Sequence, residues 1–443
     1  MTRTLHFIAC TLALAAIPSA ALAQDGWTLE RCMQHALENN IQVRQGDIAI
    51  GQRDIEANSA HGNRLPGLSA GVSQNWSFGR GLTADNTYDN TNTTNTSFSL
   101  GTDVTLFAGR RLAGNELMAK LSLESAKEDL ERIKDDVRVA VAQAFIQIIY
   151  DHSILEVAKN QVTIDSLQVE RLTALFDNGM ASPSEVASQK SNLAQSRLSV
   201  TQAGNSLQLD KLTLTQLLEL PDPTGFEIVE PAIEEMQALM LEDPAQIYAA
   251  AVGIRPGIRS EQIRLQQAET GIDVARGAYF PTLSLSAGTG SNYYTTSKFE
   301  NKKFGSQLKN NFSQYIGLNM SIPVFSRFST RNNVRSARLS YNNQLLQLDA
   351  AKKQLYKEIQ QAWFNADASR IKYESSQAVE SSASESFELV RAKYEGGKTG
   401  ITEFNESKNR LVSAQADVLK SRYEYLFNMA LLSFYKDRNF KLN

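Results

Sequence analysis

Leu65-Pro66-Gly67-Leu68-Ser69-Ala70-Gly71-Val72-Ser73-Gln74-Asn75-Trp76-Ser77-Phe78, residues 65–78, is the stretch that decides the fold. After the proline the pattern has a period of two: Leu68, Ala70, Val72, Trp76 and Phe78 alternate with Ser69, Gly71, Ser73, Asn75 and Ser77. Strand side chains point alternately to two faces, so one face is apolar and the other carries small polar groups rather than charges. That pairing suits lipid on one side and a wet lumen on the other, although a half-buried soluble sheet alternates in the same way. Three further runs share the pattern. Phe98, Leu100, Val104 and Leu106 alternate with Ser97, Ser99, Gly101, Asp103 and Thr105. Leu283, Leu285 and Ala287 alternate with Ser284, Ser286 and Gly288, and Ile316, Leu318, Met320, Ile322 and Val324 with Tyr315, Gly317, Asn319 and Ser321. Each run is near the ~9–11 residues that cross a bilayer at a tilt. Aromatics flank them: Trp76, Phe78, Phe98, Tyr293, Tyr294 and Tyr315 at one end, Phe107, Phe280, Phe325 and Phe328 at the other. Such girdles favour membrane strands over a soluble sheet.

Outward from these strands the chain reads as one unit written twice. Arg64-Leu65-Pro66-Gly67-Leu68-Ser69 matches Tyr279-Phe280-Pro281-Thr282-Leu283-Ser284 at an offset of 215 residues, and Val43-Arg44 matches Ile258-Arg259 at the same offset. Past the strands, Leu106-Phe107 matches Val324-Phe325 and Phe176-Asp177-Asn178-Gly179 matches Tyr394-Glu395-Gly396-Gly397 at an offset of 218, which places Glu185 on Glu403. The predicted organisation is a signal peptide at 1–23, repeat 1 at 24–220 with a strand hairpin at about 66–107, an equatorial linker at 221–243, and repeat 2 at 244–443 with a hairpin at about 281–325. The links within the hairpins, Arg80 to Thr96 and Thr295 to Asn311, are polar and read as exposed loops.

Between strands and tips the pattern turns helical. No proline lies between Pro66 and Pro183 or after Pro323, and no glycine between Gly114 and Gly179 or between Gly317 and Gly396. Uninterrupted runs of this kind permit very long helices. Leu123, Ala126, Leu130, Ile133, Val137, Ala140 and Ala144 step by three and four, as do Tyr341, Leu345, Leu348, Leu355, Ile359 and Ala362. These are narrow coiled-coil seams. A helix from about Arg111 to Phe176 would run roughly 100 Å.

Composition removes other classes. Arg3, the apolar run His6 to Ala20 and the small-residue exit Ala21-Leu22-Ala23 form a secretory signal, which leaves Cys32 as the one cysteine of the mature chain. No disulfide framework, catalytic motif or metal motif is present, and neither a cofactor nor catalysis is expected. A net charge of -3 from 45 basic and 48 acidic residues leaves no footprint for nucleic acid. No segment of the mature chain is apolar enough for a membrane helix, so strands must do any spanning. Four strands cannot close a barrel, and open edges in lipid leave backbone groups unsatisfied at several kcal/mol each. Chains must therefore share a barrel; a dimer, trimer or tetramer supplies roughly 8, 12 or 16 strands.

Helix, strand pair, long helix, glycine turn and return helix, duplicated behind a signal peptide, resemble the TolC family of outer-membrane efflux and secretion channels. The resemblance rests on Leu65-Pro66-Gly67-Leu68, Thr105-Leu106-Phe107-Ala108-Gly109, Pro281-Thr282-Leu283-Ser284, Ile322-Pro323-Val324-Phe325 and Tyr394-Glu395-Gly396-Gly397-Lys398-Thr399-Gly400, and spans essentially the whole mature chain. It implies a mainly α fold with a membrane β part, in which long coiled-coil helices and four transmembrane strands per chain complete a trimer. That trimer has a twelve-stranded barrel and an α-helical periplasmic tunnel. It also implies a passive exit duct in the outer membrane, working with a periplasmic adaptor and an inner-membrane transporter. The competing reading is a periplasmic coiled-coil scaffold or adaptor without a pore.

The resemblance puts the gate at the far end of the helices. Glu403 and Glu406 stand one helical turn apart behind the second glycine turn, where family members carry a carboxylate pair. Glu185 is the repeat-1 counterpart of Glu403. Asn178, Gly179, Ser184, Gly396, Gly397 and Thr402 are candidate adaptor contacts, with Ser184 and Thr402 read as helix N-caps. His152, Cys32 and Asp103 read as structural or lumen-lining.

Overall fold

A computed structural model of the chain describes residues 26–82, 86–222, 225–231, 241–297 and 300–440. The predicted signal peptide at 1–23 lies outside the described residues, as do Pro223, Thr224 and residues 232–240 of the predicted linker.

Two short helices, α1 (Leu29–Asn39) and α2 (Ile41–Gly62), lead into strand β1 (Gly67–Ser77). A small ribbon of β2 (Arg80–Leu82) and β3 (Tyr88–Asn90) follows, then β4 (Thr93–Ala108), the long helix α3 (Arg111–Asp177) and the return helix α4 (Pro183–Leu217). The same order recurs as α5 (Pro244–Ile254), α6 (Pro256–Gly277), β5 (Thr282–Thr296), a short helix α7 (Phe304–Asn310), β6 (Ser313–Ser321), α8 (Ser329–Glu395) and α9 (Ile401–Asp437). Starts of α1 and α5 differ by 215 residues, and those of α3 and α8, or α4 and α9, by 218. Both long helices have 67 residues, about 100 Å. Each is entered through two successive left-handed residues, Gly109 (φ 61°) and Arg110 (65°) in one copy, Arg327 (51°) and Phe328 (63°) in the other. This sharp joint turns strand into helix, and in the second copy it is made without glycine.

The long strands form one sheet in the order β1-β4-β5-β6, all antiparallel. Register brings the four apolar sets to one face. Ala70 lies opposite Leu100 and Val72 opposite Phe98; Val104 lies opposite Leu285, which lies opposite Leu318. The other face collects Ser69, Gly71, Ser99, Gly101, Asp103, Ser286, Gly288 and Asn319. A bulge between Thr105 and Phe107 returns Phe107 to the apolar face, opposite Leu283. Two of the aromatics read as girdle residues prove to be on the small-polar face: Tyr294 lies opposite Asn95, and Tyr315 lies opposite Gly288, where a Cβ would meet the Tyr315 ring. The strand expected to reach Val324 stops at Ser321, because Pro323 has no N–H to give to a ladder. The hairpin links are not plain loops either, since they hold the β2–β3 ribbon and α7.

Below the sheet the helices lie side by side. Near the strands the order is α2, α3, α6, α8; toward the tips it is α4, α3, α9, α8. Having several partners widens the buried face of α3 beyond the predicted seam. Leu130 and Val137 are buried as expected, but so are Leu121, Val141, Phe145, Ile148 and Ile149, while Ala126 and Ala144 are half-buried. On α8, Leu348, Leu355, Ile359 and Ala362 are buried, yet Leu345 is exposed because α8 is an edge helix of the chain.

The main core sits at the waist, where α1, α3, α4 and α9 meet. Cys32 is inside it, its thiol pushed up to about 12 by burial. The start of the linker runs beside the residues just before α1, with Trp27 N donating to Glu227 O (3.0 Å) and Val229 N to Trp27 O (3.0 Å). Residues after α9 also build the waist. Arg438 clamps Asp135 (2.9 Å) and Glu131 (3.1 Å), and Phe440 packs on Phe434 and Phe427. His152 meets Glu230 of the linker at 2.9 Å.

Asp151 is buried between α3 and α4, with Gln147 donating to one oxygen (3.3 Å). Burial, and the Asp210 carboxylate beside it, push Asp151 up to about 7. The folded state thus holds a proton that the unfolded chain releases near the ordinary carboxylate pKa of ~4. Stability from this site is present below that value and is lost as pH rises through about 7. Thermal melts between roughly pH 5 and 8 should therefore slope downward, and Asp151→Asn, which keeps a donor toward Asp210, should flatten them. An unchanged slope in the variant would remove Asp151 from the account.

Candidate gate at the helical tips

Both long helices end in the same reversal. Gly179 N donates to Phe176 O (2.9 Å) and Met180 N to Leu175 O (2.8 Å); Gly397 N donates to Tyr394 O (3.1 Å) and Lys398 N to Lys393 O (2.8 Å). Gly179 (φ 73°) and Gly397 (φ 69°) hold the left-handed position of this Schellman cap, where a Cβ is strained. Asn178 and Gly396 are the C-cap residues just before them.

The return helices start differently from expectation. Ser184 and Thr402 are not N-caps; each is the second residue of its helix. The cap of α4 is Ser182, whose Oγ accepts from Glu185 N (3.2 Å), while Ser182 N donates to Glu185 Oε2 (2.8 Å). The sequence carried this signal, because Pro183 suits the first helical position and Ser182 with Glu185 has capping-box spacing. The backbone N–H and hydroxyl of Ser182 also hold the Glu185 carboxyl below its ordinary pKa. On α9 the cap is Gly400, without a side-chain bond, and Thr399 donates instead to Glu403.

Helix α9 sorts its tip residues by face. Phe404, fully buried, packs with Phe387, Val390 and Tyr394. Ser407 and Lys408 also turn inward. Glu403 and Glu406 are left on the exposed side, Glu406 with Arg410 3.9 Å away. Arg171 of α3 lies 5.1 Å from the Tyr394 ring centroid and donates to Glu395 O (3.4 Å), tying the two tips together. Burial raises the Tyr394 hydroxyl, with Arg171 opposing and Glu185 adding. So Glu403 and Glu406 share one surface, and Glu185 stands on the neighbouring coil near Tyr394.

Above the tip is a cluster that sequence reading missed. Asp165 of α3 is wholly buried and accepts from Lys408 and Ser196, from Gln161 (2.9 Å) and from Gln189 (3.1 Å). Lys408 itself is 3% exposed. Burial pushes the Asp165 carboxyl up, but the bonds from Lys408, Ser196 and Gln161 outweigh it and hold the pKa below the usual range. The cluster belongs to one interface only, since the residue 218 places after Asp165 is Ala383. Its signal was a charge at a core position: Asp165 stands seven residues before the buried Leu172, and Lys408 four after Phe404.

Fold and tip together define a class: a channel subunit whose four strands carry one lipid-compatible face and whose helices continue below them as a tunnel wall. Among the described residues no helix is long and apolar enough to cross a membrane. The sequence model of the family described as outer membrane efflux protein matches residues 32–219 and again 247–434. The chain belongs to this outer membrane efflux protein family, a family of ducts rather than enzymes, and its place is the outer membrane. Protein CyaE of Bordetella pertussis is 25% identical over 417 residues, 94% of this chain and 83% of that protein. Outer membrane protein TolC of Escherichia coli K12 is 22% identical over 424 residues, 94% of this chain and 83% of its own. The CmeC outer membrane channel of Campylobacter jejuni has the same fold, with a TM-score of 0.78 at 18% identity over 92% of this chain and 85% of that one. These matches lend no support to a scaffold without a pore.

Proposed function

We propose that three copies of this chain close into one passive exit duct, a twelve-stranded barrel above a ring of helices. The observation that carries this reading is the agreement of free edges. In the sheet the unpaired strands are β1 and β6. In the tunnel wall the edge helices are α2 and α4 on one side and α8 on the other. The side that ends in β1 therefore ends in α2 and α4, and the side that ends in β6 ends in α8. Each edge also leaves apolar residues outside: Ile41, Ile48 and Ile55 on α2 are 53, 63 and 67% exposed, and Leu339 and Leu346 on α8 are 69 and 67%. Unlike edges meeting head to tail give a ring when the rotation closes, and closure removes every unpaired strand edge from lipid. The helices then extend the duct into the periplasm, where the tips meet a periplasmic adaptor that links them to an inner-membrane transporter. Asn178, Gly179, Ser184, Gly396, Gly397 and Thr402 form the contact surface.

Glu403 and Glu406 line the narrow end in this assembly, as a ring of close carboxylates that favours cations. Glu185 serves the gate by capping α4 beneath Tyr394. Planar-bilayer recordings test the ring. Conductance should be cation-selective and blocked by divalent or trivalent cations from the periplasmic side. Glu403→Ala with Glu406→Ala should relieve that block strongly. A double variant that keeps the block and the selectivity would move the gate elsewhere.

A further inference from the structure

Helix α7 does not lie in the mouth of the sheet; it lies across the apolar face. Phe304 packs on Phe98 (centroids 6.3 Å apart) and on Tyr293 (5.0 Å). Phe98 is in the apolar row with Val72 and Ser291, and Tyr293 lies opposite Thr96 on the same face. Ser291 Oγ, in that row too, donates to Leu308 O (2.7 Å). Gln307, buried, fastens the helix to the strand: Tyr294 N donates to its Oε1 (2.9 Å) and its Nε2 donates to Tyr294 O (2.9 Å). Asn311 adds a bond from Nδ2 to Asn292 O (2.8 Å). The helix is thus held at both ends and in the middle on the outer wall.

Its height follows from strand length. The tunnel helices leave the opposite end of the sheet, so the hairpin end is the extracellular one. About ten residues of β5 from Thr282 cross the apolar layer, which brings α7, seated on residues 291–294, to the outer-leaflet boundary. At that level α7 and the residues just before it expose three lysines. Lys302, Lys303 and Lys309 are exposed, and none has an ion-pair partner among the described residues. Phe304 and Phe312, 48 and 55% exposed, belong to the same segment. Basic side chains beside aromatics at a lipid boundary meet headgroup phosphates, which supply the missing countercharge while the rings rest at the acyl boundary.

We propose that α7 is a lipid-binding collar: Lys302, Lys303 and Lys309 hold phosphorylated headgroups of the outer leaflet against the outside of the barrel. The proposal rests on the membrane placement of the sheet and adds a ligand that the channel function does not require. The full-length protein in neutral detergent, titrated with diphosphorylated lipid A and followed by native mass spectrometry, gives the test. Lipid adducts should form, should be absent with the dephosphorylated lipid, and should survive millimolar inorganic phosphate. Lys302→Gln, Lys303→Gln and Lys309→Gln together should weaken binding about 100-fold, and the three arginine substitutions should restore it. Equal binding by the glutamine variant, equal binding of the dephosphorylated lipid, or displacement by inorganic phosphate would each overturn the collar. The same spectra read the number of chains per particle, so a failed three-chain assembly is told apart from a failed lipid site.

Discussion

Lys408→Met should destabilise the protein by about 3–5 kcal/mol, as expected when one partner of a buried ion pair is removed and the other remains. The Asp165 carboxylate would stay at 0% exposure with only Ser196, Gln161 and Gln189 to hold it. Neutral donors do not cancel a full charge at that depth. Asp165→Leu combined with Lys408→Met removes both charges and should recover most of the loss, because an apolar pair of similar volume is often neutral or better. The sign of the pH effect follows from the depressed carboxyl of Asp165. Its contribution in the parent is present above the ordinary carboxylate pKa of ~4 and is lost as pH falls through the folded value. In the single variant the stranded acid takes up a proton readily, so the gap between variant and parent should narrow on acidification. Thermal denaturation of the detergent-solubilised protein at neutral and acid pH decides this. A single variant that melts with the parent at neutral pH would mean that the pair adds nothing.

The next largest effect is expected in the barrel wall. Leu100→Arg and Leu318→Arg should each cost ~2–4 kcal/mol if these positions lie near the midplane of the lipid. Leu100 stands between Ala70 and Thr289, and Leu318 opposite Leu285, so an arginine there faces hydrocarbon with no charged partner opposite it. One residue away the outcome reverses. Ser99 faces Gly71 and Gly290, and Asn319 faces Ser284, on the small-polar side. Arginine at either should fold and alter conductance, since that side lines the wet lumen. Heat-modifiability on gels reads barrel folding and bilayer recordings read the pore. Equal damage from both pairs would refute the face assignment.

The strand faces and the long helices were legible because they depend on period alone. A period of two over residues 68–78 leaves one side for the apolar set, and proline- and glycine-free runs leave a helix nothing to break on. The fine structure of the tips was less so. Two serines flank Pro183, and the choice between Ser182 and Ser184 as cap turns on which one Glu185 can reach back to. In the second copy Gly400 replaces that serine, and only the fold shows that Thr399 turns to Glu403 instead.

By itself, then, the sequence determined the duplication, the lengths of the helices, the apolar and polar sides of each strand and the membership of a channel family. Those are properties of short windows and of their repetition. The tertiary structure decided what depends on contact between distant windows. The order β1-β4-β5-β6 assembles four apolar stripes into one wall. Asp165 and Lys408 meet across 243 residues. A polar hairpin link folds back as α7 onto the apolar face of the sheet. No local period encodes these, because a side chain's partner is set by packing and register, and only the assembled chain fixes both.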